Sequence, residues 1–355
     1  MSLAIGIAGA GLVGRLFAWA LGRAGHSVSV YDSGPGPEPR FDGQGAAAFS
    51  AAGLLSPLAE LDTAEPAVAA RGFESLRLWP LIAQRLTQQI TLKIDGSLLL
   101  AHRQDLGAAE RVLARLQVSG FPAAQALSEA ELQALEPTLL RGLRGWHLPG
   151  EGYIHPLATM AALHAGAQAR WYWDTAVAAV APQRLSLADG QELRFDWVVD
   201  ARGLGAKTQL AGLRGVRGEV ITLSLAEHGL SRPVRLLHPR HRVYLLPRSE
   251  HQLVLGASEI ESEDRSAVSL QSAVELMAAA HSVMPALAEA RIERLDVNLR
   301  PALADNRPRA LAQPGLLQLN GLYRHGWLLA PALVQELLLL SDLADLADLA
   351  DLETP

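Results

Sequence analysis

The chain has 355 residues, 49% of them apolar and 19% charged, with a net charge of −6; that length exceeds one small core and predicts two domains, sequential or interleaved. The negative balance argues against a nucleic-acid partner, because neutralising phosphates needs clustered positive charge. The lack of cysteine excludes disulfides, thiol nucleophiles, thiolate metal ligands and a thioether-anchored cofactor.

Residues 4–9 read as a buried strand, 12–24 as a helix and 27–32 as the next strand, followed by a Gly/Pro-rich loop and a run of very small residues, 46–53. Residues 65–89 have a helical pattern. Asp95-Gly96 lies between two apolar runs, a hairpin signal, and Asp189-Gly190 gives a second one. Ser128 and Glu131 fit a capping box before a short helix. Gly152 to Pro156 predicts a strand end, with a helix starting at Leu157. Residues 170–201 and 215–258 are strand-rich. Leu270, Val274, Met277 and His281 share one helical face, 291–303 looks extended, and the chain closes with a strand, a Gly-bracketed loop and an apolar helix. The tail from 342 repeats Asp-Leu-Ala and predicts a fraying, acidic helical extension. No leader pattern is visible and the apolar run 327–340 is too short to span a bilayer, so a cytoplasmic protein is expected.

Gly9-Ala-Gly11-Leu-Val-Gly14 is a G-x-G-x-x-G between strand and helix. Gly9 permits a tight turn, Gly11 lets a pyrophosphate approach the backbone, and Gly14 lets the helix pack on the strand. Asp32, 18 residues after Gly14, is placed to accept from a ribose hydroxyl and to repel a 2′-phosphate. The turn alone does not separate NAD from FAD. The early small-residue run, the long β-rich middle and the later strand–Gly turn at 195–206 thread one large cofactor through three distant segments, which suits FAD better.

With these pieces in place, the chain resembles the glycine oxidases of thiamine biosynthesis, within the D-amino-acid oxidase family of flavoproteins. The resemblance rests on the order of "GIAGAGLVG", "VYDS", "FSAAGLLSP", "TAV", "WVVDARGLGA", "VRGEVITL", "VYLLPR", "LVLGASEIESEDRS", "NLRPALADNRPR" and "GLYRHGWLLAP". It implies an α/β protein: an FAD-binding Rossmann-like domain of the β-β-α sandwich type (1–80, 140–212 and 305–341) with an interleaved antiparallel-sheet substrate domain (81–139 and 213–304), and an acidic tail (342–355). It implies non-covalent FAD at Gly9, Gly11, Leu12, Val13, Gly14, Asp32 and Ser33, at Ala47, Ala48, Ala52, Gly53, Leu54 and Val177, and at Leu322, Tyr323, Arg324, His325, Gly326, Trp327 and Leu328. The late loop would feed a helix whose N-terminus faces the flavin ring.

The implied reaction is oxidation of a small amino acid by hydride transfer from the α-carbon to flavin N5, with O2 as acceptor. Arg300 matches the family position for the substrate carboxylate, a group that suits a bidentate guanidinium; Arg324 matches a second position near the substrate, and Tyr244 is the candidate orienting hydroxyl. Plainer readings stand beside these: Arg300 paired with Asp296 or Asp305, Arg324 a solvated loop residue, Tyr244 an ordinary strand tyrosine, His325 an exposed loop histidine. Residues 231–251 carry five arginines and three histidines and read as two strands with a solvated polar face. No metal site is expected. Leu322 stands where the family often has His, and Ala302-Leu303 where it has a small residue then Thr, which bears on the substrate side chain. Alternatives are an amino-acid dehydrogenase passing electrons to a quinone, a tRNA-modifying flavoprotein, a flavin-binding subunit of a larger oxidase, and an NAD-dependent dehydrogenase. A homo-oligomer is expected by family similarity alone.

Overall fold

The structure, a computed structural model, describes residues 2–118, 120–237 and 242–346. Three distant segments build one six-stranded sheet, in the spatial order Arg309–Gln313, Leu316–Asn320, Trp197–Asp200, Ala4–Ala8, Ser27–Tyr31, Ala169–Tyr172. All neighbours run parallel except the first pair. Its central strands carry apolar residues on both faces because both faces are covered, whereas the edge strands Arg309–Gln313 and Ala169–Tyr172 are partly exposed. Ile5, Ile7, Val28, Val199 and Leu317 pack against the helices Leu12–Arg23, Pro66–Arg85 and Gly326–Leu340. Ala8, Tyr31, Val198 and Leu316 pack against a small antiparallel sheet, Val177–Ala181, Arg184–Leu187 and Glu192–Arg194. The layers are therefore β, β and α, as the resemblance implied, and the Asp189-Gly190 turn closes the hairpin expected of it.

A second sheet has eight strands, ordered Arg291–Ala302, Arg214–Ser224, Gln252–Gly256, Arg242–Pro247, Val234–Leu237, Ser97–Ala101, Arg144–Leu148, Gln125–Leu127. Its pairs are antiparallel apart from Val234–Leu237 beside Ser97–Ala101. A three-stranded ribbon of Leu54–Leu55, Gly152–Ile154 and Leu92–Lys93 lies between the two large sheets in the chain's path. Ser128 and Glu131 form the capping box in full.

Several local expectations change. Asp95-Gly96 is not a hairpin: Leu92–Lys93 pairs with Gly152–Ile154, whereas Ser97–Ala101 pairs with Arg144–Leu148 and Val234–Leu237. Pairing across the fold outweighs the local turn signal, and the turn instead carries the chain from one sheet to another. His155 caps the helix Pro156–Gly166, its Nδ1 accepting from Ala158 N at 3.2 Å, so that helix starts one residue early. Helix Leu270–Val283 buries Ala273, Leu276, Ala280 and Val283; of the expected face Leu270 and Val274 are 81% and 53% exposed, while Met277 packs against the core. Small residues on its other side allow closer approach to the sheet. Three arginines of 231–251 are held by the protein rather than solvated: Arg232 reaches Glu136, Arg235 reaches Glu60 and Arg248 donates to the Ala52 carbonyl. His238, Arg240 and His241 of that stretch lie outside the described residues. The last helix stops at Leu340, and the chain folds back so that Leu343 and Leu346 are buried. Gln335 holds it there, donating to Asp345 (2.6 Å) and accepting from Leu346 N (2.7 Å). Residues 347–355 lie outside the described residues, and so does the rest of the expected helical tail.

Candidate active site

One cavity of about 1280 Å³ runs between the two sheets, more than the roughly 300–1,000 Å³ of an ordinary small-ligand pocket. Its first end is the turn after strand Ala4–Ala8. Gly9 has φ +100°, and a Cβ there would lie 2.5 Å from the Ala201 carbonyl oxygen. Gly14 faces away from the cavity; a Cβ on it would sit 1.8 Å from the Gly9 oxygen, so this glycine seats the helix against the turn. Gly11 differs. Its φ of −71° suits any residue, and a Cβ would meet only Ala46, at 3.8 Å. The space it leaves opens on the cavity, which Gly9, Gly11, Leu12 and Val13 line. Asp32 and Ser33 line it too; the Asp32 carboxylate accepts from Ala10 N (2.6 Å) and Gly34 N (2.7 Å), which fixes it at the end of the second strand.

The middle wall is the small-residue run, where Ala47, Ala48, Ala52, Gly53 and Leu54 line the cavity. The Trp327 indole donates to the Ala48 carbonyl at 3.2 Å and thereby ties this run to the last helix. Residues 322–328 all line the cavity, and a Cβ on Gly326 would meet nothing within 4 Å. A second helix start thus opens onto the same space as the first, each with unsatisfied N–H groups and the positive end of a helix dipole. Val177 is not among the lining residues; its carbonyl accepts from Arg202, which is paired with Asp200 at 2.8 Å.

The far end is formed by the eight-stranded sheet. Arg300, on strand Arg291–Ala302, lies over Gly218, where a Cβ would come 2.4 Å from its Cζ. Tyr244 lies over Gly256 in the same manner, 2.6 Å from its hydroxyl. Arg300 donates to the carbonyls of Arg217 (3.2 Å) and Ser258 (3.0 Å). It forms no ion pair with a carboxylate among the described residues: Asp296 is held by Arg294 at 2.7 Å, and Asp305 accepts from the backbone of Arg307. Burial pulls the Arg300 pKa down, opposed by Tyr244 and Glu259; burial pushes the Tyr244 phenol up.

Arg324 is placed differently. Its Nη2 donates to Glu60 (2.5 Å) and Thr63 (2.8 Å), and its Nη1 to Glu259 (3.2 Å). Glu60, 7% exposed, also meets Arg235 at 3.3 Å and His325 at 3.5 Å. Burial opposes ionisation of Glu60, but Arg324, His325 and Arg235 outweigh it and hold its pKa far below the ordinary range. His325 is buried, contrary to the exposed loop position expected, because the loop turns inward to Glu60; burial lowers its pKa, so it is neutral near pH 7. Sequence reading missed Glu60, Arg235, Glu259, Gly218 and Gly256. The available signal for Glu60 was a lone acid closing the apolar run "AAGLLSPLAE".

A parallel dinucleotide sheet, a carboxylate at the end of its second strand and a second helix start on the same cavity together define a flavin-type dinucleotide oxidoreductase. The chain belongs to the FAD dependent oxidoreductase family, whose profile matches residues 4–337. It is 36% identical over 331 residues to a Rhizobium etli protein described as a thiamine biosynthesis oxidoreductase, ThiO, covering 92% of this chain and 93% of the relative. It is 27% identical over 349 residues to a glycine oxidase of Bacillus licheniformis, covering 92% and 89%. Among solved structures it matches a glycine oxidase from Geobacillus kaustophilus with a TM-score of 0.80 at 26% identity, over 99% of this chain and 96% of that one. The protein is thus an FAD-dependent oxidoreductase of the glycine-oxidase type, and the open space at Gly11 and at Gly326, with Asp32 bound to the first turn, fits that cofactor. No helix among the described residues is long and apolar enough to cross a membrane.

Proposed function

We propose that the enzyme oxidises glycine or a similarly small amino acid. Bound FAD supplies a two-electron sink for the hydride leaving the α-carbon, and O2 takes the electrons on. The imino product is hydrolysed or passed to thiazole synthesis, a link suggested by the Rhizobium etli relative. Segments 1–80, 149–212 and 305–341 serve the cofactor. Segments 81–139 and 213–304 serve the substrate, together with 144–148, which pair in the eight-stranded sheet. Gly9, Gly11, Leu12, Val13, Asp32 and Ser33 hold the dinucleotide end, Ala47, Ala48, Ala52, Gly53 and Leu54 the middle, and residues 322–328 the ring.

The observation that carries this reading is the Arg300 guanidinium. It is half-buried at the cavity wall, anchored by two carbonyls and, among the described residues, by no carboxylate, and it lies beside the Tyr244 phenol. A half-buried guanidinium on a cavity wall with no carboxylate of its own is suited to receive one. Arg324, already gripped by Glu60 and Glu259, is a positioning residue that sets the late loop, and Tyr244 orients the bound carboxylate.

Anaerobic titration of the purified flavoprotein with glycine is expected to bleach the flavin band. Arg300→Lys, with its FAD content retained, is expected to need about 100-fold more glycine, the worth of two charge-assisted hydrogen bonds. A wild-type band that glycine leaves unchanged refutes the substrate class. A lysine variant that titrates like wild type refutes the role of Arg300. Readmitted air separates an oxidase from a dehydrogenase by how fast the colour returns.

A further inference from the structure

The cavity holds a second recognition group that the carboxylate receptor does not explain. Glu259 follows Ser258, whose carbonyl anchors Arg300 at 3.0 Å, so a cation and an anion are presented by groups one residue apart. The other acids of this end are engaged: Glu60 is gripped by Arg324, Arg235 and His325, and Asp62 by Arg115. Glu259 is less committed. Its one ion pair uses Oε2, at 3.2 Å from Arg324 Nη1, and its side chain is 48% exposed. Oε1 has no cationic partner among the described residues. The Tyr323 hydroxyl faces this carboxylate without closing a hydrogen bond of normal geometry. Burial works against its charge, but Tyr323, Arg324 and Arg300 outweigh that, and Glu259 is ionised near neutral pH.

We infer that Glu259 is the receptor for the substrate's amino group and a specificity-determining residue, selecting an unblocked α-amino acid zwitterion over a simple carboxylate. The inference rests on the functional reading above, with Arg300 as the carboxylate receptor. A ligand with only a carboxylate gains Arg300 but meets the repulsion of Glu259, whereas a zwitterion satisfies both. A carboxylate beside the bound ammonium also favours its protonated form. That proton must pass to solvent before the hydride leaves the α-carbon for FAD, since the nitrogen lone pair forms the new C=N bond.

The test compares Glu259→Gln with wild-type holoenzyme, using glycine and acetate. The expected result has opposite signs: the KM for glycine rises about tenfold, the value of one charge-assisted contact, while acetate binds more tightly, read by perturbation of the flavin spectrum. The acid limb of the flavin-reduction rate is expected to move to lower pH, because the amine loses its proton more readily. Glu259→Asp keeps the charge on a shorter arm and is expected to fall between the two in acetate affinity. If both ligands weaken together, or neither changes, the assignment is overturned, since a residue that only props up Arg324 would not separate them. If glycine fails to reduce the wild-type flavin, the functional reading falls, and acetate then decides alone: equal affinity in Glu259→Gln and wild type overturns the role of Glu259.

Discussion

Glu60 offers the sharpest test of how the site is held together. It is buried, and three basic side chains converge on it: Arg324 at 2.5 Å, Arg235 at 3.3 Å and His325 at 3.5 Å. Glu60→Gln keeps the shape and removes the charge. Arg324 retains Glu259 and Thr63, but Arg235 loses its carboxylate and already has a buried Nε without a partner. Breaking a buried pair by removing one member costs about 3–5 kcal/mol. An amide that still accepts one bond puts the expected loss near the lower figure, or a drop in Tm of roughly 5 °C for a chain of this size. Adding Arg235→Met removes the stranded cation and is expected to recover more than about 1 kcal/mol of that loss. The pH dependence has a definite sign. The folded pKa of Glu60 lies below its ordinary value of 4.5, so its contribution is complete above that pH and is lost as the pH falls toward the folded value. Urea unfolding from pH 7 downward should therefore show a shallower acid limb for Glu60→Gln than for wild type. A variant within about 1 kcal/mol of wild type at pH 7, with the same acid limb, would refute the idea that this cluster braces the cavity.

Two glycines of the first turn separate folding from cofactor binding. Gly14→Ala places a Cβ 1.8 Å from the Gly9 oxygen and is expected to cost about 1–3 kcal/mol even without FAD; Gly11→Ala, with free space around its Cβ, should leave apoprotein stability unchanged and lower FAD retention after gel filtration. His155 supplies a pH prediction: burial, with a smaller effect from Arg248, lowers its pKa from 6.5 to about 4. The unfolded chain takes up the proton first, so stability falls as pH drops from 6.5 to about 4 and is level in this respect below. His155→Asn caps the helix without titrating and should flatten part of that slope in Tm against pH; His164 and His325, lowered by burial as well, carry the remainder.

The first turn was legible because its geometry is local. A phosphate turn needs three glycines and a helix within a few residues, so the spacing of Gly9, Gly11 and Gly14 encodes it directly, and Asp32 follows from the length of one helix and one strand. Most strands of the six-stranded sheet were readable for the same reason, as short runs bounded by turn residues; Arg309–Gln313 was not, because it mixes polar and small residues at the sheet edge. The far end of the cavity is assembled across the eight-stranded sheet. Arg300 faces the cavity because Gly218 on the neighbouring strand leaves room, and Tyr244 because Gly256 does, relations fixed by strand register and invisible in a linear reading. Leu270 and Val274 misled because helical periodicity shows which residues share a face, not which face the sheet covers. His325 misled because its burial depends on Glu60, 265 positions away in sequence order.

These long-range contacts also explain why two glycine-hinged helix starts belong to one chain. The first organises itself, since Gly14 packs on Gly9 and Asp32 binds the turn's own backbone. The second cannot: the loop 322–326 is held by Arg324 and His325 reaching Glu60, and by Trp327 reaching Ala48. The late helix start and the small-residue wall are thereby locked to the carboxylate cluster at the far end of the cavity. Charge balance there completes the argument. Arg235, Arg324 and Arg300 face Glu60 and Glu259, while His325 is neutral. Of these three guanidinia, Arg300 is the one with no ion pair to an acid among the described residues. In the proposed reading the substrate carboxylate meets Arg300 and its ammonium the open Oε1 of Glu259, so a zwitterion enters without changing the net charge of this end.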